Sequence, residues 1–244
     1  MSVKDTFGRI AAQYAAYRPE YTPALADALA QRAPARALAW EAGCGSGQLS
    51  TLLGDRFERV VATDASAEQI AVARPHPRVE YGVAPAGQSG LVPASADLCV
   101  AAQAAHWFDL EAYNAEIRRV GRPGCLVALI TYATTEVEPD VDAAFAELLA
   151  LVRPHWPPNR RSVDRRYADL PFPFAEEPFP EVAMTARWTA EHLIAYAGTW
   201  SATLALMEAE GADVLSPVHA RIREAWGSRL RAVCWPLSVR AGHA

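Results

Sequence analysis

The chain has 244 residues, of which 51% are hydrophobic and 21% charged, with a formal net charge of −5. That length can bury a full core for one large α/β domain or a domain with a cap. The acidic balance argues against broad phosphate-backbone binding, so nucleic acid is not an expected partner. No apolar run reaches the length of a membrane span. The N-terminal stretch, carrying Lys4, Asp5 and Arg9, lacks the apolar core and cleavage site of a secretory signal. A cytoplasmic protein without a membrane partner is expected, as a monomer or homodimer.

In chain order, residues 1–35 are alanine-rich and amphipathic, interrupted at Arg18-Pro19 and Pro34, and predict one or two helices. A β/α alternation follows. Ala37 to Glu41 is a short apolar run that stops at glycines, so it predicts a buried strand; Gly47 to Leu53 predicts a helix. Arg59 to Thr63 predicts a second strand. Ser66-Ala67-Glu68-Gln69 matches a capping box, the serine covering a free N–H and the glutamine reaching back, ahead of a helix to about Ala73. Val79 to Ala84 and Ala96 to Ala102 predict the third and fourth strands. Leu110, Tyr113, Ile117 and Val120 recur at helical spacing behind Asp109, a good N-cap, and Gly124 to Tyr132 predicts a fifth strand buried on both faces. Such alternation implies a parallel sheet covered on both sides, with ligands bound beyond the carboxyl ends of the strands where the strand order reverses.

Residues 153–180 differ. Prolines at 154, 157, 158, 171, 173, 178 and 180 are interleaved with aromatics and arginines, which predicts an ordered, mostly irregular excursion able to act as a lid. Val182 to Thr189 alternates like a strand, two helical stretches follow at roughly 190–209 and 216–228, and Ala232 to Arg240 predicts a last strand. Cys44, Cys99, Cys125 and Cys234 include no CxxC pair and are expected to be reduced and buried. The histidines form no ligand pair, so no metal is expected.

The strongest motif is Glu41-Ala42-Gly43-Cys44-Gly45-Ser46-Gly47, between a strand and a helix. Its glycines permit a sharp turn and close backbone approach to a ligand. The spacing is GxGxG rather than the GxGxxG of nicotinamide dinucleotide folds, which disfavours a dehydrogenase. Asp64, ending the second strand, can accept hydrogen bonds from both ribose hydroxyls of an adenosine; its bland alternative, capping the next helix, is already met by Ser66.

With Gln103-Ala104-Ala105-His106-Trp107-Phe108, these motifs resemble the class I S-adenosylmethionine-dependent methyltransferases, and more narrowly the branch related to trans-aconitate methyltransferase. The similarity extends to Tyr17-Arg18-Pro19-Glu20-Tyr21, Leu170-Pro171-Phe172-Pro173-Phe174, Thr199-Trp200-Ser201-Ala202 and Trp235-Pro236-Leu237, nearly the whole chain. The resemblance implies a seven-stranded Rossmann-like sheet, mostly parallel with an antiparallel last strand, in a single domain over 1–244. Within it, 1–35 is an N-terminal helical segment, 36–133 the cofactor-binding core, 134–231 a lid and inserted helices around the sixth strand, and 232–240 the last strand. Pro236 cannot donate to a ladder, so a bulge or break in pairing is expected there.

Carried over residue by residue, the resemblance has Glu41 orient the loop and face the amino acid end of S-adenosylmethionine. Gly43, Gly45 and Gly47 admit the cofactor, and Asp64 with its neighbour Ala65 holds the ribose. Ala86 and Gly87 lie beside the adenine, where many relatives have an acid in place of Gly87. Ala102 and Gln103 line the methionine part. Arg18, with Tyr14 nearby, pairs with the cofactor carboxylate or an acidic substrate, or is a surface arginine before a turn.

His106 is the candidate catalytic residue: an alcohol acceptor needs a general base, a carboxylate does not, and the histidine could instead orient its loop. Trp107 and Trp200 are candidate pocket walls. Arg160 and Arg166, from a cluster that includes Arg153, Arg161 and Arg165, could grip an acidic acceptor or form a solvated face. The expected activity is methyl transfer from S-adenosylmethionine to a small molecule, an O-methylation of a carboxylic acid or hydroxyl, leaving S-adenosylhomocysteine. No Asn/Asp-Pro-Pro-Tyr motif follows the fourth strand and no Pro-Cys nucleophile is present, which excludes the DNA base methylases. The alternative is a catalytically silent fold that binds S-adenosylmethionine as a regulatory subunit.

Overall fold

In the computed structural model, which describes residues 17–244, the apolar runs become strands at the expected places. They are β1 (Leu38–Ala42), β2 (Arg59–Asp64), β3 (Val79–Val83), β4 (Ala96–Ala102) and β5 (Gly121–Thr131). All five are parallel, and β1 pairs with both β2 and β4, so the strand order reverses there. With β6 (Ala175–Glu177) and β9 (Ser238–His243) they form a seven-stranded sheet in the order β3-β2-β1-β4-β5-β9-β6. β9 runs antiparallel to both β5 and β6.

The sheet is buried on both faces, as its continuous apolar runs require. Along β5 the side chains alternate: Leu126, Ala128 and Ile130 join one core with Leu25, Leu49, Leu53 and Val60, while Val127 and Leu129 join the other with Trp40, Tyr113, Ile117 and Tyr167. Each fully buried large side chain contributes about 1.5–3 kcal/mol through removal of apolar surface from water. The first core is covered by α1 (Pro23–Arg32) and α2 (Gln48–Gly54). The second is covered by α4 (Leu110–Val120), and the short α3 (Ala67–Ala71) follows β2. Asp109 caps α4 by accepting from the Ala112 N–H at 3.1 Å, as expected.

Ser66 caps α3 by accepting from Gln69 N at 3.2 Å, but the reciprocal bond differs from the capping-box expectation. The Ser66 N–H donates to Asp64 Oδ1 at 2.8 Å, and the Ser66 hydroxyl donates to Glu68 Oε2 at 2.7 Å. The aspartate two residues upstream reaches the N–H in a tight Asx-type turn, making the bond expected of the Gln69 side chain.

The described residues form two compact units. One comprises 21–133, 161–183 and 236–244; the other comprises 17–20, 134–160 and 184–235. The proline-rich window 153–180 is therefore divided, and its second half packs with the sheet. It holds a 3₁₀ turn (Arg153–His155), the helix α6 (Arg160–Asp164) and the edge strand β6, more regular structure than its prolines suggest.

The second unit contains α5 (Pro139–Val152), α7 (Ala190–Gly198), α8 (Ser201–Glu210) and α9 (Ser216–Trp226). The single helix expected over 190–209 is thus two, parted at Thr199-Trp200. β7 (Ala183–Trp188) and β8 (Arg231–Pro236) form a separate two-stranded sheet. The last strand expected over 232–240 is corrected accordingly. It splits at Leu237, whose N–H donates to Val182 O at 2.9 Å, and only its second half joins the main sheet. The break expected at Pro236 is present, because proline has no N–H with which to continue a ladder.

Candidate active site

Glu41, the last residue but one of β1, is 2% exposed, and its Oε2 accepts a hydrogen bond from the Ser50 hydroxyl at 2.5 Å. Burial raises the Glu41 carboxyl to about 8; the Ser50 bond works against that rise and the nearby charge of Asp64 adds to it. Glu41 therefore carries a proton at neutral pH unless a cation arrives beside it. The same burial and the charges of Glu41 and Asp64 push the Cys44 thiol upward, which makes it a poor nucleophile.

The loop after β1 turns through Gly43, Gly45 and Gly47, with φ of +68°, +55° and +82°. The N–H groups of Gly43 and Cys44 both donate to Thr63 O, at 2.7 and 3.0 Å, and the Gly45 N–H donates to Asp64 Oδ2 at 2.9 Å. The three glycines answer to different constraints. A Cβ on Gly43 would lie 2.5 Å from Ala104 Cβ, and one on Gly47 would lie 2.2 Å from the Tyr81 hydroxyl. Among the described residues, a Cβ on Gly45 would meet only Gln69 Oε1, at 3.8 Å. Gly43 and Gly47 are thus glycine because protein packs against them, whereas among those residues the Gly45 side of the loop is open to another molecule.

Asp64 uses one carboxylate oxygen for Gly45 N and the other for Ser66 N. A carboxylate offers about four lone-pair sites, so both oxygens retain acceptor capacity. Ala65 is exposed beside it. Ala86 packs on the second core, and a Cβ on Gly87 would come within 2.8 Å of Ala112 Cβ. A larger side chain at this position would strike α4.

At the end of β4, Ala102 is buried and Gln103 takes a left-handed backbone, φ +54°. The Gln103 side chain is turned to the protein: Oε1 accepts from Thr131 Oγ1 at 2.6 Å and from Tyr132 N at 3.2 Å, and Nε2 donates to Tyr132 O at 3.0 Å. Those bonds brace the loop after β4 against the end of β5.

His106 and Trp107 follow on a single 3₁₀ turn, Ala105–Trp107. His106 is half-buried and Trp107 is 38% exposed, its ring 5.1 Å from the imidazole. His106 Nδ1 lies 2.7 Å from the hydroxyl of Tyr167. Tyr167 is fully buried, and it and Arg166 sit at φ +62° and +55°. Left-handed backbone costs an L-residue roughly 1–2 kcal/mol. Two such residues in succession are held by the Arg166 N–H to Val163 O and the Tyr167 N–H to Ser162 O, both at 2.8 Å. Arg240 Nη1 donates to Tyr167 O and to Leu170 O, also at 2.8 Å.

Glu41, Gly43, Gly45, Gly47, Asp64, Ala65, Ala86, Gly87, Ala102, Gln103, His106, Trp107 and Arg166 all belong to the sheet unit. Arg166 is exposed. Arg18, Arg160 and Trp200 belong to the other unit. There Arg18 lies over the Tyr196 ring at 5.5 Å and Arg160 over the Trp156 ring at 4.8 Å. Trp200 is buried among Phe145, Trp156 and Tyr196. Tyr14 lies outside the described residues. Sequence reasoning missed Tyr167 and Ser50. Ser50 was reachable, since it faces back toward the strand one helical turn into α2, but nothing local marks Tyr167.

Residues 40–129 match the methyltransferase domain family. A solved structure from Anaeromyxobacter dehalogenans, assigned as a type II methyltransferase, is 47% identical; the match covers 93% of this chain and 98% of that one, with a TM-score of 0.88. The chain belongs to the class I S-adenosylmethionine-dependent methyltransferases. This methyltransferase is also 28% identical to a Dictyostelium discoideum protein assigned as a methyltransferase, over 91% of this chain and 86% of the relative. It is 36% identical to a malonyl-[acyl-carrier protein] O-methyltransferase of Enterobacter lignolyticus, over 54% of each chain. The methyltransferase fold thereby accounts for the strand order, with its antiparallel member inserted beside β5. No helix among the described residues is long and apolar enough to cross a membrane.

Proposed function

We propose that this methyltransferase moves the methyl group of S-adenosylmethionine onto an oxygen of a small molecule, a carboxylic acid or a hydroxyl compound. The observation that carries the reading is the open face of Gly45 between two acids, Glu41 and Asp64, at the carboxyl ends of β1 and β2. These residues fit the cofactor. Gly45 admits it, Asp64 has acceptor capacity for ribose hydroxyls, and the buried Glu41 can ionise opposite the ammonium of its methionine part. Ala65, Ala86, Gly87 and Ala102 line the same edge, with Gln103 bracing it. When bound, the cofactor supplies a methyl carbon on a sulfonium, so that a new O–C bond forms as the C–S pair returns to sulfur.

His106 and Trp107, on the loop after β4, are proposed to meet the acceptor. For a hydroxyl acceptor, His106 takes the proton of the breaking O–H bond and passes it to solvent. For a carboxylate, already ionised, it only positions the group. Arg166 supports an acidic acceptor through its fork of donors, as does the O-methyltransferase relative. Membership of the branch related to trans-aconitate methyltransferase rests on the His106-Trp107-Phe108 stretch and the late motifs.

The test is methyl transfer from labelled S-adenosylmethionine to a panel of small carboxylic acids and phenols. Transfer to at least one is expected. Cofactor binding with no transfer to any of them would favour the silent, regulatory reading.

A further inference from the structure

We infer that Tyr167 is a positioning residue for His106, holding its imidazole through Nδ1 so that Nε2 is the nitrogen presented to the acceptor. The inference deepens the proposed function and rests on its assignment of His106 to the acceptor. Three observations carry it. The Tyr167 hydroxyl lies 2.7 Å from Nδ1, 61 residues away in sequence. Tyr167 is fully buried, yet its backbone stands at φ +62° directly after another left-handed residue. That conformation is pinned from outside its own turn, by the Arg240 guanidinium on the Tyr167 carbonyl. A buried ring alone would need neither the unfavourable backbone nor the hydroxyl.

The chemistry of the partner suits a base that must change charge. A carboxylate would hold Nδ1–H strongly and favour the imidazolium. A phenol oxygen accepts from Nδ1–H of the neutral ring, which leaves the lone pair on Nε2 for the acceptor's proton, and it goes on accepting from Nδ1–H once the ring is cationic. The ring therefore keeps one orientation before and after it takes a proton. Trp107, whose ring is 5.1 Å from the imidazole on the side of the same 3₁₀ turn, limits its tilt.

The experiment uses the full chain, labelled with ¹⁵N-histidine and saturated with S-adenosylhomocysteine. His106→Ala identifies the His106 resonances. In the wild type, Nδ1 and Nε2 should show well-separated shifts at alkaline pH, the signature of one dominant tautomer. Tyr167→Phe removes only the hydroxyl and should collapse them toward the averaged values of a solvated histidine. Unchanged shifts in Tyr167→Phe overturn the inference. Should that variant fold poorly, 3-fluorotyrosine in place of tyrosine alters the acidity of the phenol alone; it should move the His106 nitrogens, and no movement overturns the inference equally.

Turnover adds a second readout, using S-adenosylmethionine and an acceptor from the acid and phenol panel. Tyr167→Phe should lower kcat about fivefold or more with KM for S-adenosylmethionine within about twofold, and should have no further effect in a His106→Ala background. A loss of equal size with His106 gone overturns the positioning role. If instead the tautomer collapses as expected while His106→Ala leaves turnover intact, Tyr167 does position the ring, and it is the assignment of His106 to the acceptor that fails.

Discussion

Asp64 accepts the Gly45 N–H at 2.9 Å, so the acid that ends β2 and the glycine of the loop after β1 that is open among the described residues are a single structural piece. The cofactor's proposed ribose anchor and its proposed point of closest backbone approach cannot move independently.

Asp64→Ala should therefore do two things. It removes charge-assisted hydrogen bonds to ribose, each worth about 1.5–3 kcal/mol, so affinity for S-adenosylhomocysteine should fall at least tenfold by that arithmetic. It also frees Gly45 N and Ser66 N, which loosens the loop. Titration calorimetry on a folded variant reads the first effect, and an unchanged affinity would remove Asp64 from the cofactor site.

The glycines should separate by substitution. Gly47→Ala places a methyl against the Tyr81 hydroxyl and should cost roughly 2 kcal/mol or more of stability. Gly45→Ala meets little protein and should cost about 1 kcal/mol from its backbone alone, while weakening cofactor binding about tenfold. Gly45→Val should abolish binding. Denaturant melts paired with calorimetry check this; equal stability losses at the two positions would contradict the division of labour.

Glu41 predicts a pH dependence. Its folded carboxyl is raised from 4.5 to about 8, so the native protein holds a proton that the unfolded chain gives up. Its contribution is complete below about 4.5 and is lost as pH rises toward 8. Relative to Glu41→Gln, wild-type stability should thus decline across that window, by roughly 1–4 kcal/mol in all. Melting both proteins from pH 5 to 9 tests it, and a constant difference would show that the carboxyl is already ionised. At pH 7, cofactor binding should also release a proton, read as a buffer-dependent enthalpy.

The acceptor class should divide His106 from the arginines. With a hydroxyl acceptor, His106→Ala should reduce kcat by about 10²–10⁴-fold and Arg166→Glu should matter little. With a carboxylic acid, His106→Ala should cost about tenfold or less, and Arg166→Glu should raise KM. Both variants must be measured on one accepted substrate. No effect from either change would mean that the acceptor binds elsewhere.

The sequence alone determined those features whose physical cause is local. Five apolar runs interrupted by glycine and capping residues specify β1 to β5 within a residue or three, because a strand buried on both faces must be apolar throughout. Asp109 caps α4 because a carboxylate two or three residues before free N–H groups has little else to do. Pro236 breaks the last strand because it lacks a donor. The glycine loop was legible because three turns at positive φ in five residues cost least in glycine.

Tertiary structure decided the rest. Gly47 and Gly87 are needed by Tyr81 and Ala112, neighbours that only the folded chain supplies. The sixth strand of the sheet is the three-residue β6, too short to carry a period, and its ladder is completed by β9 from the far end of the chain. The alternating run over β7, which has the better strand pattern, pairs instead with β8. Tyr167 meets His106 across 61 residues through a left-handed turn that no propensity favours. Besides its own hydrogen bonds, Arg240 and the surrounding core hold this turn, and a constraint applied from outside the segment leaves no mark on the segment's own sequence.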